Sequence, residues 1–158
     1  MHPISRRLAA ALLAACLAPA VAAAAPPKSD SVVKATATAD KPDADGKQAV
    51  TLTLDIEKGW HLYANPVKND DFTSNQTTVG KVAAKAAVKD VKVEYPAGTL
   101  VDDKTVGKFM IYEGKQTIKV TVTRTKGDDS PLELTVTVQA CNDKSCLQPG
   151  DIKVTTAP

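Results

Sequence analysis

The chain lacks the patterns that mark most function classes. It has no internal repeat, no heptad pattern and no glycine-rich phosphate loop, and its strand signals do not alternate with helical ones in a βαβ rhythm. Ser, His and acidic residues occur at no spacing that recommends a hydrolase triad. Beyond the N-terminus no apolar run is long enough to cross a bilayer. Aromatic residues are scarce: one Trp, three Tyr and two Phe. Cysteine is scarcer still, with three in 158 residues.

What is present begins with an export signal. Arg6 and Arg7 form a basic start, Leu8 to Val21 is apolar with a break at Pro19, and Ala-rich residues run up to Pro26-Pro27. Met1 to about Ala25 is therefore expected to be removed. Leu13-Ala14-Ala15-Cys16 fits a bacterial lipoprotein box. Hydrophobicity continues past Cys16 through Val21, however, so soluble export, periplasmic in a bacterium, is the preferred reading. Residues 26–158 are the length of one domain. Removing Arg6 and Arg7 from the twenty Lys and Arg leaves eighteen, matched by eighteen Asp and Glu. A neutral mature chain argues against nucleic acid as a partner. Export also implies an oxidising compartment, where a dithiol stays reduced only if electrons are supplied.

Read in order, the mature chain alternates strands and turns. Ser31 to Ala39 is a weak strand, and Lys41 to Gly46 is a turn cluster. Ala49 to Glu57 predicts a strand with Val50, Leu52, Leu54 and Ile56 inward. Trp60 to Ala64 follows, with Trp60 and Leu62 on one face of an extended segment and His61 and Tyr63 on the other. Val67 to Thr78 reads as polar loop, Lys81 to Ala87 as a short helical turn on propensity, and Val88 to Tyr95 as strand. Leu100 to Gly107 reads as polar loop. Lys115 to Thr125 and Leu132 to Cys141 are strands, and Ile152 and Val154 give a closing strand. Short strands, frequent turns and little helix predict an all-β sandwich.

The most informative stretch runs from Val138 to Gly150. It holds Cys141 and Cys146, the two cysteines that remain after the leader is cut. Four residues separate them, so a turn brings the sulfurs within bonding distance. Strand parity places Cys141 on the polar face with Thr137 and Gln139, which predicts an accessible sulfur. Three readings fit: a structural bridge worth roughly 2 kcal/mol for so small a loop, a redox pair, or half a metal site. His61 and Tyr63 are either ordinary surface or neighbours that shield and tune the cysteines.

Three segments together carry a resemblance. Gly59-Trp60-His61-Leu62-Tyr63, Val106-Gly107-Lys108 leading to Ile111-Tyr112, and Val138-Gln139-Ala140-Cys141 through Cys146-Leu147-Gln148-Pro149 resemble, in order and spacing, the N-terminal periplasmic domain of thiol:disulfide interchange proteins of the DsbD family. The likeness covers nearly the whole mature chain. It implies an immunoglobulin-like β-sandwich with a redox-active cysteine pair at one end and no cofactor. It further implies electrons taken from a membrane transporter and passed to periplasmic thioredoxin-fold proteins, isomerases or those of cytochrome c maturation. On this resemblance Cys141 and Cys146 are the exchanging pair, with Cys146 the sulfur that joins mixed disulfides. His61 and Tyr63 flank them, and Asp103, Lys104, Thr105 and Val106 form a cap. The chain departs from the pattern where the cap's aromatic is replaced by Thr105, for which Phe109 is the candidate substitute. It also departs at His61, a titratable group that when protonated favours a nearby thiolate. The chain ends at Pro158 without a membrane or thioredoxin-like domain, so a separate donor polypeptide is expected. The alternatives are a binding module with a permanent disulfide and a copper-handling domain using Cys141, Cys146 and His61.

Overall fold

Alternation of apolar and polar residues over long runs commits this chain to sheets, because a period of two places one set of side chains on one face. The computed structural model describes residues 26–157; the expected leader, with Cys16, lies outside them. Eleven strands are formed: β1 (Val33–Ala39), β2 (Lys47–Ile56), β3 (His61–Tyr63), β4 (Thr78–Ala83), β5 (Val88–Glu94), β6 (Thr99–Asp103), β7 (Gly107–Tyr112), β8 (Lys115–Arg124), β9 (Glu133–Val138), β10 (Ala140–Cys141) and β11 (Gly150–Ala157). Two 3-10 turns, Ser29–Val32 and Asp70–Asn75, complete the described elements.

The strands make two sheets. The larger has the order β4-β9-β11-β1-β2-β8-β5, antiparallel except where β1 pairs with β11. The smaller has the order β10-β3-β7-β6. In β2 the expected inward residues Val50, Leu52, Leu54 and Ile56 are all buried, and across the ladder Leu52 faces Ile118 and Val50 faces Val120. Leu134, Val136 and Val138 of β9 extend this face. Leu62, Tyr112 and Ala140 of the smaller sheet close over it to form the main core. Each such Leu, Ile or Val contributes about 1.5–3 kcal/mol through burial. The result is the all-β sandwich that the strand pattern predicts, in the immunoglobulin-like form that the resemblance implies.

Strand β9 does not run straight into β10. Gln139 lies in no strand, and at Ala140 the chain leaves the larger sheet for the smaller. Both cysteines are thereby delivered to the short end of the small sheet, where β10 pairs with β3.

Three local expectations change. Lys81 to Ala87 is not a helical turn: Thr78–Ala83 is the edge strand β4 on β9, and Val79 and Val82 pack on the core. Hydrogen bonding and burial along the sheet outweigh the helix propensity of Ala and Lys, which is worth only tenths of a kcal/mol per residue. Leu100 to Gly107 is a β-hairpin rather than a loop, with β6 on the edge. Asp103 Oδ1 accepts the Thr105 and Val106 N–H groups to build its tip, and Gly107 takes a positive φ of 82°. Val67 to Thr78 contains the 3-10 turn Asp70–Asn75, which Asn69 caps by accepting the Asp71 N–H at its Oδ1.

Arg124 secures the end of the sandwich away from the cysteines. Its buried guanidinium reaches Asp128 at 3.0 Å, Gln48 at 3.1 Å and Ser130 at 3.1 Å. Hydrogen bonds from Ser130 and Arg124 hold the Asp128 carboxyl well below the usual carboxylate range.

Leu52 is fully buried at the centre of the larger sheet. Replacing it with Ala is expected to lower unfolding free energy by about 2–5 kcal/mol in urea denaturation, since both the transfer and cavity terms are lost.

Candidate redox site

The loop between the cysteines folds locally. Asn142 Oδ1 accepts the N–H groups of Lys144 and Ser145 at 2.9 Å each, and the Asn142 N–H donates to the Ser145 carbonyl at 2.9 Å. An asparagine that hydrogen-bonds its own following backbone makes a tight turn without glycine. The turn returns the chain so that Leu147 N–H donates to the Ala140 carbonyl at 2.9 Å. Cys141 and Cys146 then stand 4.0 Å apart at Cα and are joined by a disulfide.

The two sulfurs have unequal surroundings. Cys146 is exposed, whereas Cys141 is only 3% exposed. The accessible Cys141 expected from strand parity is therefore corrected. The facing was legible, because Cys141 lies opposite His61 and on the other side of the sheet from Ala140 and Leu62. That face is covered rather than open to solvent. Cys141 packs into a second apolar cluster with Tyr63, Val67, Phe109 and Ile111, against which Phe72 and Val101 also pack.

Tyr63 brings a hydroxyl to the Cys141 sulfur. Its hydroxyl lies 3.7 Å from Cys141 Sγ, and since the sulfur is in a disulfide the O–H is the donor. Burial pushes this hydroxyl above its ordinary titration range, so it keeps its proton at neutral pH. The Tyr63 ring stacks on Phe72 at 4.9 Å and tilts against Phe109 at 5.9 Å, and Phe72 meets Phe109 edge-on at 5.2 Å. Offset and edge-to-face contacts of this kind add about 0.5–1.5 kcal/mol beyond area burial.

His61 sits beside Cys141 in the β3–β10 ladder and presents its ring edge-on to Tyr63 at 6.3 Å. Burial lowers its pKa below 6.5, although Glu113 and Asp143 pull the other way. It is therefore a neutral imidazole at neutral pH rather than the cation that would favour a thiolate. The hairpin tip is more remote. Asp103, Lys104 and Thr105 are exposed, and Asp103 is held below the usual carboxylate range by the Val106 and Thr105 N–H groups. Of the hairpin residues expected to form the cap and its substitute aromatic, Phe109 reaches the cysteine cluster.

Phe72 is the residue that sequence reasoning missed. It projects from the 3-10 turn Asp70–Asn75, which is fastened at both ends. Asn69 Nδ2 donates to the carbonyls of Val106 and Lys108 at 3.1 Å, and Asn75 Nδ2 bonds Gln139 Oε1. A lone phenylalanine within Lys68 to Gln76 was the available signal: an apolar ring in so polar a segment needs a packing partner. Both phenylalanines of the chain lie in this cluster. Among the described residues, no three His, Cys, Asp or Glu side chains are grouped as metal ligands.

The lowered His61 pKa has a consequence for stability. Below about pH 6.5 the unfolded chain binds a proton that the folded one resists, so stability falls with pH until the folded pKa is passed. Melting temperatures across this range should show that slope in the native chain and a smaller one in His61→Asn.

The chain is 18% identical to the N-terminal periplasmic domain of ScsB from Proteus mirabilis, with a TM-score of 0.57, over 79% of this chain and 46% of that one. It is 17% identical to the reduced N-terminal domain of DsbD from Neisseria meningitidis, with a TM-score of 0.49, over 84% and 89% of the two chains. It is also 29% identical over 129 residues to Bacillopeptidase F of Bacillus subtilis (strain 168), a match covering 80% of this chain but 9% of that protein. A family model described as the N-terminal region of thiol:disulfide interchange protein DsbD matches residues 28–158. With a disulfide at the end of an immunoglobulin-like sandwich and that match over most of its length, the chain belongs to the DsbD N-terminal domain family.

Proposed function

We propose that this chain is an exported electron relay that works by thiol–disulfide exchange through Cys141 and Cys146. The observation that carries the reading is the unequal exposure of the two cysteines, with Cys146 exposed and Cys141 buried with the Tyr63 hydroxyl 3.7 Å from its sulfur. Exchange requires a thiolate to approach one sulfur in line with the S–S bond. Only the open sulfur admits that approach, so Cys146 is the atom attacked and Cys141 the one that leaves.

The first step forms a bond between the donor's sulfur and Cys146 Sγ as the Cys141–Cys146 bond breaks. The electron pair goes to Cys141 Sγ, where the Tyr63 O–H is placed to hydrogen-bond the developing thiolate. A second thiol of the donor then attacks the donor's own sulfur and releases Cys146. Two electrons and two protons have entered the domain, and the donor has become a disulfide. The same steps in reverse reduce the next protein. The partners are a separate membrane electron transporter on the donor side and periplasmic thioredoxin-fold proteins on the acceptor side. The leader, Met1 to about Ala25, directs export, and residues 26–158 form the working domain. No cofactor takes part.

Two experiments test this reading. Cys141→Ala leaves the exposed thiol and should capture thioredoxin-fold proteins as mixed disulfides from a periplasmic extract, while Cys146→Ala should not. Empty traps from both variants would instead favour a permanent disulfide in a binding module. In addition, Tyr63→Phe should slow reduction of the bridge by a small dithiol by about three- to tenfold, the worth of one net hydrogen bond. An unchanged rate would remove the hydroxyl from the mechanism.

A further inference from the structure

The cysteine loop is closed at its base by a residue far away in sequence. Ser29 lies in the 3-10 turn that precedes β1 and is fully buried. Its hydroxyl accepts the Ala140 N–H at 2.8 Å and donates to the Gln148 carbonyl at 2.8 Å. Its own N–H donates to the same carbonyl at 2.9 Å. Ala140 immediately precedes Cys141, and Gln148 lies two residues after Cys146. One side chain therefore bridges the two flanks of the loop.

The surroundings hold Ser29 in that place. Lys28 forms a bridge with Gln148, and the Ser31 hydroxyl donates to the Lys28 carbonyl at 2.6 Å. Gly150, where the chain leaves the loop, lies so close to Asp30 that a Cβ there would come within 2.7 Å of the Asp30 nitrogen. A hydroxyl fits the position because it both accepts and donates, as these two buried flanks require. A hydrocarbon side chain would leave the Ala140 N–H without that partner.

The chemistry gives the bridge a role beyond support. When the disulfide is open, the covalent link between the flanks is gone. Direct links between the flanks then include the Leu147 N–H to Ala140 carbonyl bond, the Asn142 N–H to Ser145 carbonyl bond and the Gln139 side-chain amide to Leu147 carbonyl bond, and Ser29 bridges both flanks from outside the loop. Re-forming the disulfide is an intramolecular attack whose rate depends on how well the two sulfurs are held within reach. We infer that Ser29 is a positioning residue for exchange, holding Cys141 against Cys146 so that the mixed disulfide is resolved quickly. This rests on the relay reading for its biological meaning, but the chemistry needs no protein partner.

The test uses the reduced chain and Ellman's reagent. Cys146 thiolate attacks the reagent's disulfide, releasing one thionitrobenzoate and leaving the other joined to Cys146. Cys141 thiolate then attacks Cys146 Sγ, releases the second thionitrobenzoate and closes the bridge. In all, two electrons pass to the reagent and each thiol loses its proton to solvent. In Ser29→Ala the first release should keep its native rate, because Cys146 is exposed. The second should slow about tenfold, the loss of one to two net hydrogen bonds. The disulfide-to-dithiol equilibrium against glutathione should move toward dithiol by a similar factor. Ser29→Thr, which keeps the hydroxyl, should restore both.

A Ser29→Ala variant that melts earlier but keeps the native second release and equilibrium would overturn the inference, since a purely structural role predicts that result. Hydrogen exchange on the native chain adds a test that needs no variant. The Ala140 amide should stay protected after reduction, and loss of its protection would show that the bridge opens with the disulfide. Because no partner is used, these outcomes are independent of whether the trapping experiment captures one.

Discussion

Attack on a disulfide follows the line of the S–S bond, and the entering sulfur needs free space behind the atom it strikes. In this chain Cys141 is buried in an apolar cluster with the Tyr63 hydroxyl 3.7 Å from its sulfur, while Cys146 is an exposed residue. On the proposed relay reading, that difference gives the bridge a direction. It follows from a short interval of backbone, in which the chain leaves β9 at Val138, crosses Gln139 and joins the smaller sheet at Ala140. The crossing puts Ala140 into the main core and Cys141 into the second cluster. The asparagine turn then carries Cys146 back outward.

The second cluster is small, yet it gathers much of what the chain spends sparingly. Tyr63, Phe72 and Phe109 are three of its six Phe, Tyr and Trp residues, and they pack on one another beside Cys141. Covering a sulfur with rings excludes water and strengthens any hydrogen bond made there. The Tyr63 hydroxyl is the group placed to benefit. The segment from Asn65 to Thr77 forms the cover, and its own backbone is well satisfied. Tyr112 Oη accepts the Asn65 N–H at 3.1 Å, Asn65 Nδ2 donates to the Thr77 carbonyl at 3.0 Å, and Thr77 bonds back to the Tyr63 carbonyl. The cover is thus fixed to the strand that carries Tyr63.

Much of this was legible in the sequence, and what was not has physical causes. The long alternating runs of β2, β8 and β9 announced the sandwich because each buries one full face. The cysteine pair, His61 and Tyr63 were singled out by order, spacing and resemblance, and the fold brings them side by side. The burial of Cys141 was not, because parity reports which face a residue takes and says nothing of what covers that face. Phe72 and Ser29 were missed for a related reason: each acts through contacts with residues distant in sequence. Ser29 meets partners 111 and 119 positions away. The β6–β7 hairpin was read as a loop because an edge strand with one poorly buried face carries little alternation. Thr105 is exposed at its tip, and the aromatic cover comes instead from Phe72 on a different segment and from Phe109.

The central claim is that the Cys141–Cys146 bond is made to be opened. Its reduction potential tests this most directly, by equilibrating the oxidised chain against graded glutathione ratios and counting free thiols by mass. A bond made to be opened has a potential above about −300 mV, within reach of physiological dithiols. A value below about −300 mV would mark a permanent structural bond and contradict the account.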